Sequence, residues 1–333
     1  MNRVATIGFF DGVHLGHQFV IRQVAEESRK RGLEALVVTF DCPPREVVTG
    51  KKCHLLTTLD EKKRLILAAG ADRCEILSFT PDFAALSAKD FMLEILKNRL
   101  RVEVLMLGYD NHFGHRDPDH PETFDDYQRY GGEMGIEVLK MPPFTTHHPS
   151  PTTHHPLPTT HHPSPTTHHP PPITQNSTFL RHALREGDIS LATEHLGRHY
   201  SITGLVVHGR GEGHRIGFPT ANLAPESVET ILPKSGVYAV KVRSKGVKES
   251  GSKVFSGMMN IGMRPTYDGT TLSLEVHLFD FDGDLYGHTL TIDFLRRIRD
   301  EQPFESPEAL RKQLEKDKAD CGLNLADCVL NDK

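Results

Sequence analysis

Val4-Ala5-Thr6-Ile7-Gly8-Phe9-Phe10-Asp11-Gly12-Val13-His14-Leu15-Gly16-His17 passes from a short apolar run into a glycine-rich turn, and Val20, Ile21, Val24 and Ala25 follow at helical spacing. The pattern is strand, turn and helix. It repeats downstream: Glu34 to Phe40, Cys74 to Phe79 and Val104 to Leu107 have strand character, while Asp60 to Ala69 and Ala88 to Leu100 have helical character. Strands alternating with helices predict a parallel sheet covered on both faces, with its ligand site at the carboxyl ends of the strands. Three polar clusters fall at those ends. They are Asp11 to His17, Asp41-Cys42-Pro43-Pro44-Arg45, and Gly108-Tyr109-Asp110-Asn111-His112-Phe113-Gly114.

The first cluster carries the most chemistry. Gly12 and Gly16 permit close backbone approach, and His14 and His17 stand where a helix begins, beside free amides and a dipole that favour phosphate. Two histidines donating hydrogen bonds there would neutralise charge on an α-phosphate as pyrophosphate departs. Taken alone, the turn equally suits a plain strand-to-helix connection with solvated or metal-ligating histidines.

The full stretch GFFDGVHLGH resembles the nucleotidyltransferase superfamily, whose H-x-G-H signature binds ATP phosphates. The three clusters in order, with DFAALSAKDFMLEIL before the third, look like the bacterial FMN adenylyltransferase domain. The resemblance implies a Rossmann-like α/β domain in which Gly8, Phe10, Asp11, Gly12, Gly16, Gly108 and Asp110 surround the nucleotide. Asn176-Ser177-Thr178-Phe179-Leu180-Arg181 resembles the closing I-S-S-T-x-I-R motif, which makes Ser177, Thr178 and Arg181 phosphate-side candidates. The same residues suit a helix capped by Asn or Ser and closed at Gly187. Two departures stand out: Cys42-Pro43-Pro44 occupies the place of the family's P-H-P, and His112 that of an arginine before Phe-Gly. A kinase joined to an adenylyltransferase domain that has lost efficient transfer is therefore the competing reading.

Residues 145 to 172 hold four heptads, TTHHPSP, TTHHPLP, TTHHPSP and TTHHPPP. Proline removes amide donors and the apolar content is too low to offset chain ordering, so an extended insertion in a surface loop is expected. Weak binding of zinc, nickel or copper is the functional alternative to simple repeat expansion.

Past a helical connection from Leu180 to Gly197, the pattern changes to strands separated by turns: Tyr200 to His208, Gly236 to Val242, Val254 to Ile261, Leu272 to Phe279 and Thr289 to Phe294. A mainly antiparallel β-barrel closed by a helix from Pro307 to about Lys318 follows. The loop Gly209 to Gly217 leads into Phe218-Pro219-Thr220-Ala221-Asn222. It lacks the arrangement of a P-loop, yet its glycines allow amides to reach phosphate, and the Thr hydroxyl and Asn carbonyl are hard oxygen ligands suited to magnesium. Alternation in Leu272 to Leu278 puts Glu275 on the face opposite Leu274 and Val276.

GFPTANL and SLEVHLFDFDGDLYG resemble riboflavin kinase segments, and NIGMRPTYDG and FLRRIRDEQPF match further ones. That resemblance implies phosphate contacts at Gly211, Gly213, Gly217 and Pro219, magnesium coordination by Thr220 and Asn222, a catalytic base at Glu275, and a flavin-side cation at Arg297. On the first domain, the nucleotidyltransferase resemblance makes His14 and His17 catalytic.

Composition agrees with an enzyme of small ligands. A length of 333 residues suggests two cores, and a net charge of −5 with interspersed signs gives no basic tract for nucleic acid or anionic membrane. Five cysteines with no C-x-x-C pair fit reduced thiols and a cytoplasmic address. The expected organisation is an adenylyltransferase domain over 1–186, interrupted by the repeat, and a kinase domain over 187–333. The expected function is bifunctional: riboflavin to FMN, then FMN to FAD, with ATP as co-substrate and Mg2+ in both steps. A nonenzymatic flavin- or metal-binding protein is the reading from another class.

Overall fold

A computed structural model describes residues 1–108, 113–114, 122–144, 176–209, 212–245, 254–266 and 269–322, without the side chains of 212, 245, 264–266, 269–270 and 322. The expectations that fall on Asp110, His112, Gly211 and the 145–172 repeat lie outside the described residues.

The first half runs β1 (Arg3–Ile7), α1 (Leu15–Arg31), β2 (Glu34–Phe40), α2 (Pro44–Thr49), α3 (Leu59–Ala68), β3 (Arg73–Leu77), α4 (Pro81–Ala84), α5 (Ala88–Asp90), β4 (Val102–Leu107), α6 (Phe124–Met134) and β5 (Glu137–Lys140). All strands pair in parallel in the order β3-β2-β1-β4-β5. Chain direction along the sheet reverses between β1 and β4, which opens a crevice beyond their carboxyl ends. Gly8 and Gly108 leave the sheet there. Helix α1 lays Ile21, Val24 and Ala25 against Val4, Ala35, Val37 and Val104. It closes at Gly32, whose positive φ of 65° lets its N–H reach the carbonyls of Ser28 and Arg29. The opposite face of the sheet buries Ala5, Ile7, Leu36, Val38 and Leu105 under Phe91, Met92, Leu96 and Tyr127.

Three local differences from the sequence reading have physical causes. The apolar run from Val4 to Phe9 reads as one strand, but β1 stops at Ile7, where the chain turns toward α1 at Leu15. The predicted helix over 88–100 becomes π-helical from Phe91 to Arg99, the wider winding that turns Phe91, Met92 and Leu96 to the core together. The predicted helical connection over 180–197 is two helices, α7 (Ser177–Glu186) and α8 (Ile189–Leu196), parted where Gly187 caps one at φ 79° and Asp188 caps the next.

The second half continues with β6 (Tyr200–Val207), α9 (Glu212–Arg215), β7 (Ala221–Leu223), β8 (Gly236–Lys245), β9 (Val254–Thr266), β10 (Gly269–Leu278), β11 (Thr289–Arg299) and α10 (Pro307–Gly322). Six antiparallel strands close a barrel in the order β10-β7-β6-β11-β8-β9. Its interior is filled by Ile202, Val206, Tyr238, Val240, Met259, Ile261, Leu274, Val276, Ile292 and Phe294. Helix α10 covers the outside at Phe218, Ala239, Met258, Phe279 and Leu295 through Leu314 and Cys321. Arg299 fastens it by a two-pronged pair with the fully buried Asp317, Nε to Oδ1 at 3.0 Å and Nη2 to Oδ2 at 2.7 Å.

Helices α7 and α8 belong to both halves. Leu180, Leu184, Ile189, Ala192 and Leu196 share the barrel's core, and Leu56 from the first half joins the same cluster. The expected boundary between 186 and 187 thus falls inside a two-helix layer.

Candidate functional site

The turn from Gly8 to His17 is held open in an unusual backbone. Phe10 at φ 52°, Gly12 at 78° and Val13 at 38° lie in the left-handed region, where a β-branched residue is strained. Such a conformation persists only when its surroundings over-determine it. Here they do: the Gly12 N–H donates to Thr57 Oγ1 at 3.2 Å, Arg198 Nη2 donates to the Gly12 carbonyl at 2.9 Å, and Gln18 Nε2 donates to the Val13 carbonyl at 3.0 Å.

His14 caps α1, its Nδ1 accepting the His17 N–H at 3.3 Å. That bond leaves the proton of neutral His14 on Nε2. The His14 and His17 rings stack with centroids 3.6 Å apart, and Phe10 meets His17 edge-on at 5.1 Å. Burial, with His195 and Arg198 adding positive charge, lowers the His14 pKa to about 4. Burial and the neighbouring His14 and Lys62 also hold His17 well below the usual range. Both rings are therefore neutral donors at pH 7. The buried His17 Nδ1 has no hydrogen-bond partner, an orphaned atom that a ligand oxygen would satisfy. A Cβ at Gly16 would sit 3.2 Å from the His14 ring, so glycine keeps this approach clear.

Asp11, 3% exposed, faces inward. Its carboxylate accepts the amides of Leu56 at 2.9 Å and Thr57 at 3.3 Å and pairs with Arg181 at 2.5 Å. Burial raises its pKa, and Arg181 and the two amides oppose the rise. Arg181 Nε also donates to the His54 carbonyl at 2.8 Å, and Ser177 Oγ to the Asp11 carbonyl at 3.0 Å. The structure thus gathers His14, His17, Asp11, Ser177 and Arg181, with Asp11 and Arg181 spent on each other as a clamp. Thr178 is exposed on the first turn of α7.

Two features of this region escaped the sequence reading. Beyond β1, β2 and β3 lies a cavity of about 370 Å3 lined by Phe40, Phe79, Phe83, Phe91 and Phe113 among others. These rings contact one another in a chain, with centroids 5.0 Å apart for Phe40 and Phe79 and 5.4 Å for Phe91 and Phe113. They are spread along the chain from residue 40 to residue 113, so no local spacing reveals the set. The other feature is Lys62, which donates to the Phe40 carbonyl at 2.7 Å and lies 4.0 Å over the Phe9 ring. Its burial lowers its pKa to about 8.

On the barrel, Thr220, Asn222 and Glu275 stand together on the outer face. Glu275 lies opposite Asn222 on β7 and Asn260 on β9. Thr220 Oγ1 donates to Glu275 Oε2 at 3.4 Å, and Ser273 Oγ to Oε1 at 2.8 Å. The loop that precedes them needs its glycines: a Cβ at Gly209 would fall 2.2 Å from the Asn222 amide, one at Gly213 would fall 2.3 Å from the Phe218 carbonyl, and Gly217 has φ 81°. His277 Nδ1 donates to the Pro219 carbonyl at 2.8 Å and anchors the far end of the loop. Oxygen donors at Thr220, Asn222 and Glu275 match the preference of magnesium for hard ligands. Arg297 is not brought to this cluster. Strands β8 and β9 separate it from β10, and its guanidinium is held by the Ser235 carbonyl at 2.6 Å and by Asp300.

Comparison with known proteins adds to this geometry. Residues 1–151 match the family model described as FAD synthetase, and residues 196–324 the one described as riboflavin kinase. The bifunctional riboflavin kinase/FMN adenylyltransferase of Escherichia coli (strain K12) is 36% identical over 317 residues, which cover 95% of this chain and 90% of that protein. Its namesake in Bacillus subtilis (strain 168) is 33% identical over 321 residues, covering 95% and 90%. A crystal structure named macrolide-efflux protein from Streptococcus pneumoniae aligns with a TM-score of 0.77 at 29% identity, covering 96% of this chain and 93% of that one. That name describes export; among the described residues no helix is long and apolar enough to cross a membrane.

Proposed function

The chain belongs to the bifunctional riboflavin kinase/FMN adenylyltransferase family, and we propose that its two sites divide the two reactions between the barrel exterior and the crevice of the parallel sheet. It phosphorylates riboflavin to FMN with ATP and then adenylylates FMN to FAD with release of pyrophosphate. The observation that carries the assignment is the juxtaposition in each half. Thr220, Asn222 and Glu275 meet beside a glycine-rich loop, and stacked His14 and His17 stand at the sheet's switch point.

In the kinase step Glu275 accepts the proton of the riboflavin 5′-hydroxyl as that oxygen bonds to the γ-phosphorus and the bond to the β-phosphate oxygen breaks. Gly213, Gly217 and Pro219 shape the phosphate loop. Thr220 and Asn222 would hold magnesium, which when bound with ATP draws off charge from its phosphates.

In the adenylyl step an FMN phosphate oxygen attacks the α-phosphorus of ATP and pyrophosphate leaves. A phosphate monoester is already anionic at pH 7, so this nucleophile needs no base. His14 and His17 then serve as donors to phosphate oxygens, with Gly8, Phe10, Gly12, Gly16, Gly108, Ser177 and Thr178 framing the nucleotide; Mg2+, when bound with ATP, would shield its charge. Asp11 and Arg181 keep that frame in place. The aromatic cavity has the size and apolar walls to take a flavin ring.

The ligands on this reading are riboflavin, FMN, FAD and ATP, with no nucleic acid or membrane among the partners. Free thiols at Cys42, Cys53, Cys74 and Cys321 suit the cytoplasm. Chromatography of products from riboflavin, ATP and magnesium, and separately from FMN, tests the assignment: FAD should form from both. FMN that accumulates with no FAD would leave only the kinase.

A further inference from the structure

Arg198 belongs by sequence to the segment that matches the riboflavin kinase model, residues 196–324. Its guanidinium nevertheless reaches into the other half, donating from Nη2 to the Gly12 carbonyl at 2.9 Å. Gly12 is two residues before His14, in the strained part of the turn.

Neighbouring contacts converge on the same place. Gln18, in the first turn of α1, donates from one amide to both the Val13 carbonyl and the Leu196 carbonyl, each at 3.0 Å. Gly197 passes so close to Leu15 that a Cβ there would lie 2.7 Å from the leucine methyl. Across from Arg198, Glu61 of α3 supplies compensating negative charge and accepts Ser201 Oγ at 3.3 Å. Arg198 Nε and Nη1 have no hydrogen-bond partner, so the Gly12 carbonyl is the oxygen its guanidinium is fixed on.

We infer that Arg198 is a positioning residue for adenylyl transfer, supplied by the kinase half to hold the Gly12–His17 turn in the geometry that presents His14 and His17 to phosphate. The inference rests on the assignment of adenylyl transfer to those histidines. Without Arg198, the Gly12–Val13 peptide loses the donor that fixes its carbonyl. Val13 at φ 38° then relaxes, and the imidazoles shift from the place where charge develops. A displacement of about 1 Å at a reacting centre costs on the order of 10²-fold in rate. Glu275 lies beside Asn222, which pairs with Val207 at the end of β6 farthest from Arg198, so the kinase step is expected to stay intact.

The test uses the full-length chain carrying Arg198→Met, Arg198→Lys or His14→Ala, with both activities measured on each sample. Kinase turnover at the wild-type rate shows that a variant is folded. Arg198→Met is expected to lower kcat for FAD formation from FMN by about 10²-fold with little change in the KM for FMN, and Arg198→Lys to recover part of the loss. An NMR titration gives a second readout. His14 faces His17, His195 and Arg198, and removing the guanidinium charge should move its pKa upward from about 4. If His14→Ala abolishes FAD formation while Arg198→Met leaves kcat unchanged, the inference about Arg198 is overturned. If His14→Ala itself spares FAD formation, the site assignment beneath it fails instead. Loss of both activities in Arg198→Met and Arg198→Lys alike would also contradict it, since the residue would then serve the fold as a whole.

Discussion

The chain builds two glycine-rich turns, and it secures them in different ways. The turn from Gly8 to His17 is tied by side chains from three distant segments, with Thr57, Arg181 and Arg198 all reaching it or its Asp11. The loop before Thr220 is tied at its far end by Phe218 N–H to the Gly213 carbonyl at 2.9 Å and by His277 to Pro219. The difference follows the chemistry. On the proposed assignment, adenylyl transfer to an anionic phosphate needs donors fixed in advance where charge develops, and the neutral imidazoles of His14 and His17 would provide them. On the same assignment, phosphorylation of a neutral hydroxyl needs a base, and the Glu275 carboxylate on the half-exposed barrel face would provide it.

Separating the two sites by mutation is the strongest way to break this comparison. Glu275→Gln should slow FMN formation from riboflavin by about 10²- to 10⁴-fold while FAD formation from FMN stays at the wild-type rate, as read by product chromatography. His17→Ala should do the reverse, costing about 10²- to 10³-fold in FAD formation and sparing the kinase. Equal loss of both activities in either variant would merge the sites.

Stability separates the two turns as well. Asp11→Ala leaves the Arg181 charge without its partner and the Leu56 and Thr57 amides without an acceptor. Removing one member of a buried pair costs about 3–5 kcal/mol, which chemical denaturation would register. Thr220→Ala, by contrast, removes one long hydrogen bond at a half-buried site and should cost about 1 kcal/mol or less.

The smallest expected effect is with pH. The folded pKa of His14, about 4, lies below the ordinary 6.5, so the unfolded chain binds more protons between those values. The stability carried by neutral His14 is therefore complete above about pH 6.5 and is lost as pH falls toward 4. The denaturation midpoint should drop between about pH 7 and about pH 5, and drop less in His14→Gln. A midpoint that rises over that interval would contradict the buried neutral pair.

The parts legible in the sequence were those with local signals. Period-two and helical spacing placed β1, α1, β2 and the long barrel strands, and the glycines marked the turn before α1 and the loop before Thr220. α6 and β5 were passed over, because Gly131 and Gly132 sit inside the helix and the strand has four residues. The split between α7 and α8 turns on a single Gly187–Asp188 step within a run of otherwise continuous helical character. Non-local features were invisible: the aromatic cavity collects rings from 40 to 113, and Arg198 acts on a carbonyl 186 positions away. Asp11 and Arg181 were recognised as site residues, but their pairing depends on how α7 folds back over the turn. Arg297 shared its segment with plausible ligand residues, and only the barrel's strand order shows it standing apart from Glu275.

The central claim is that two separate sites in one chain perform consecutive reactions. It is tested most directly by mixing Glu275→Gln with His17→Ala and following riboflavin, ATP and magnesium to product. Each variant alone should make little FAD from riboflavin, and the mixture should make it readily, because FMN released by the kinase-competent chain is consumed by the adenylyl-competent one. A mixture no better than the two variants apart, with FMN released into solution, would contradict the account.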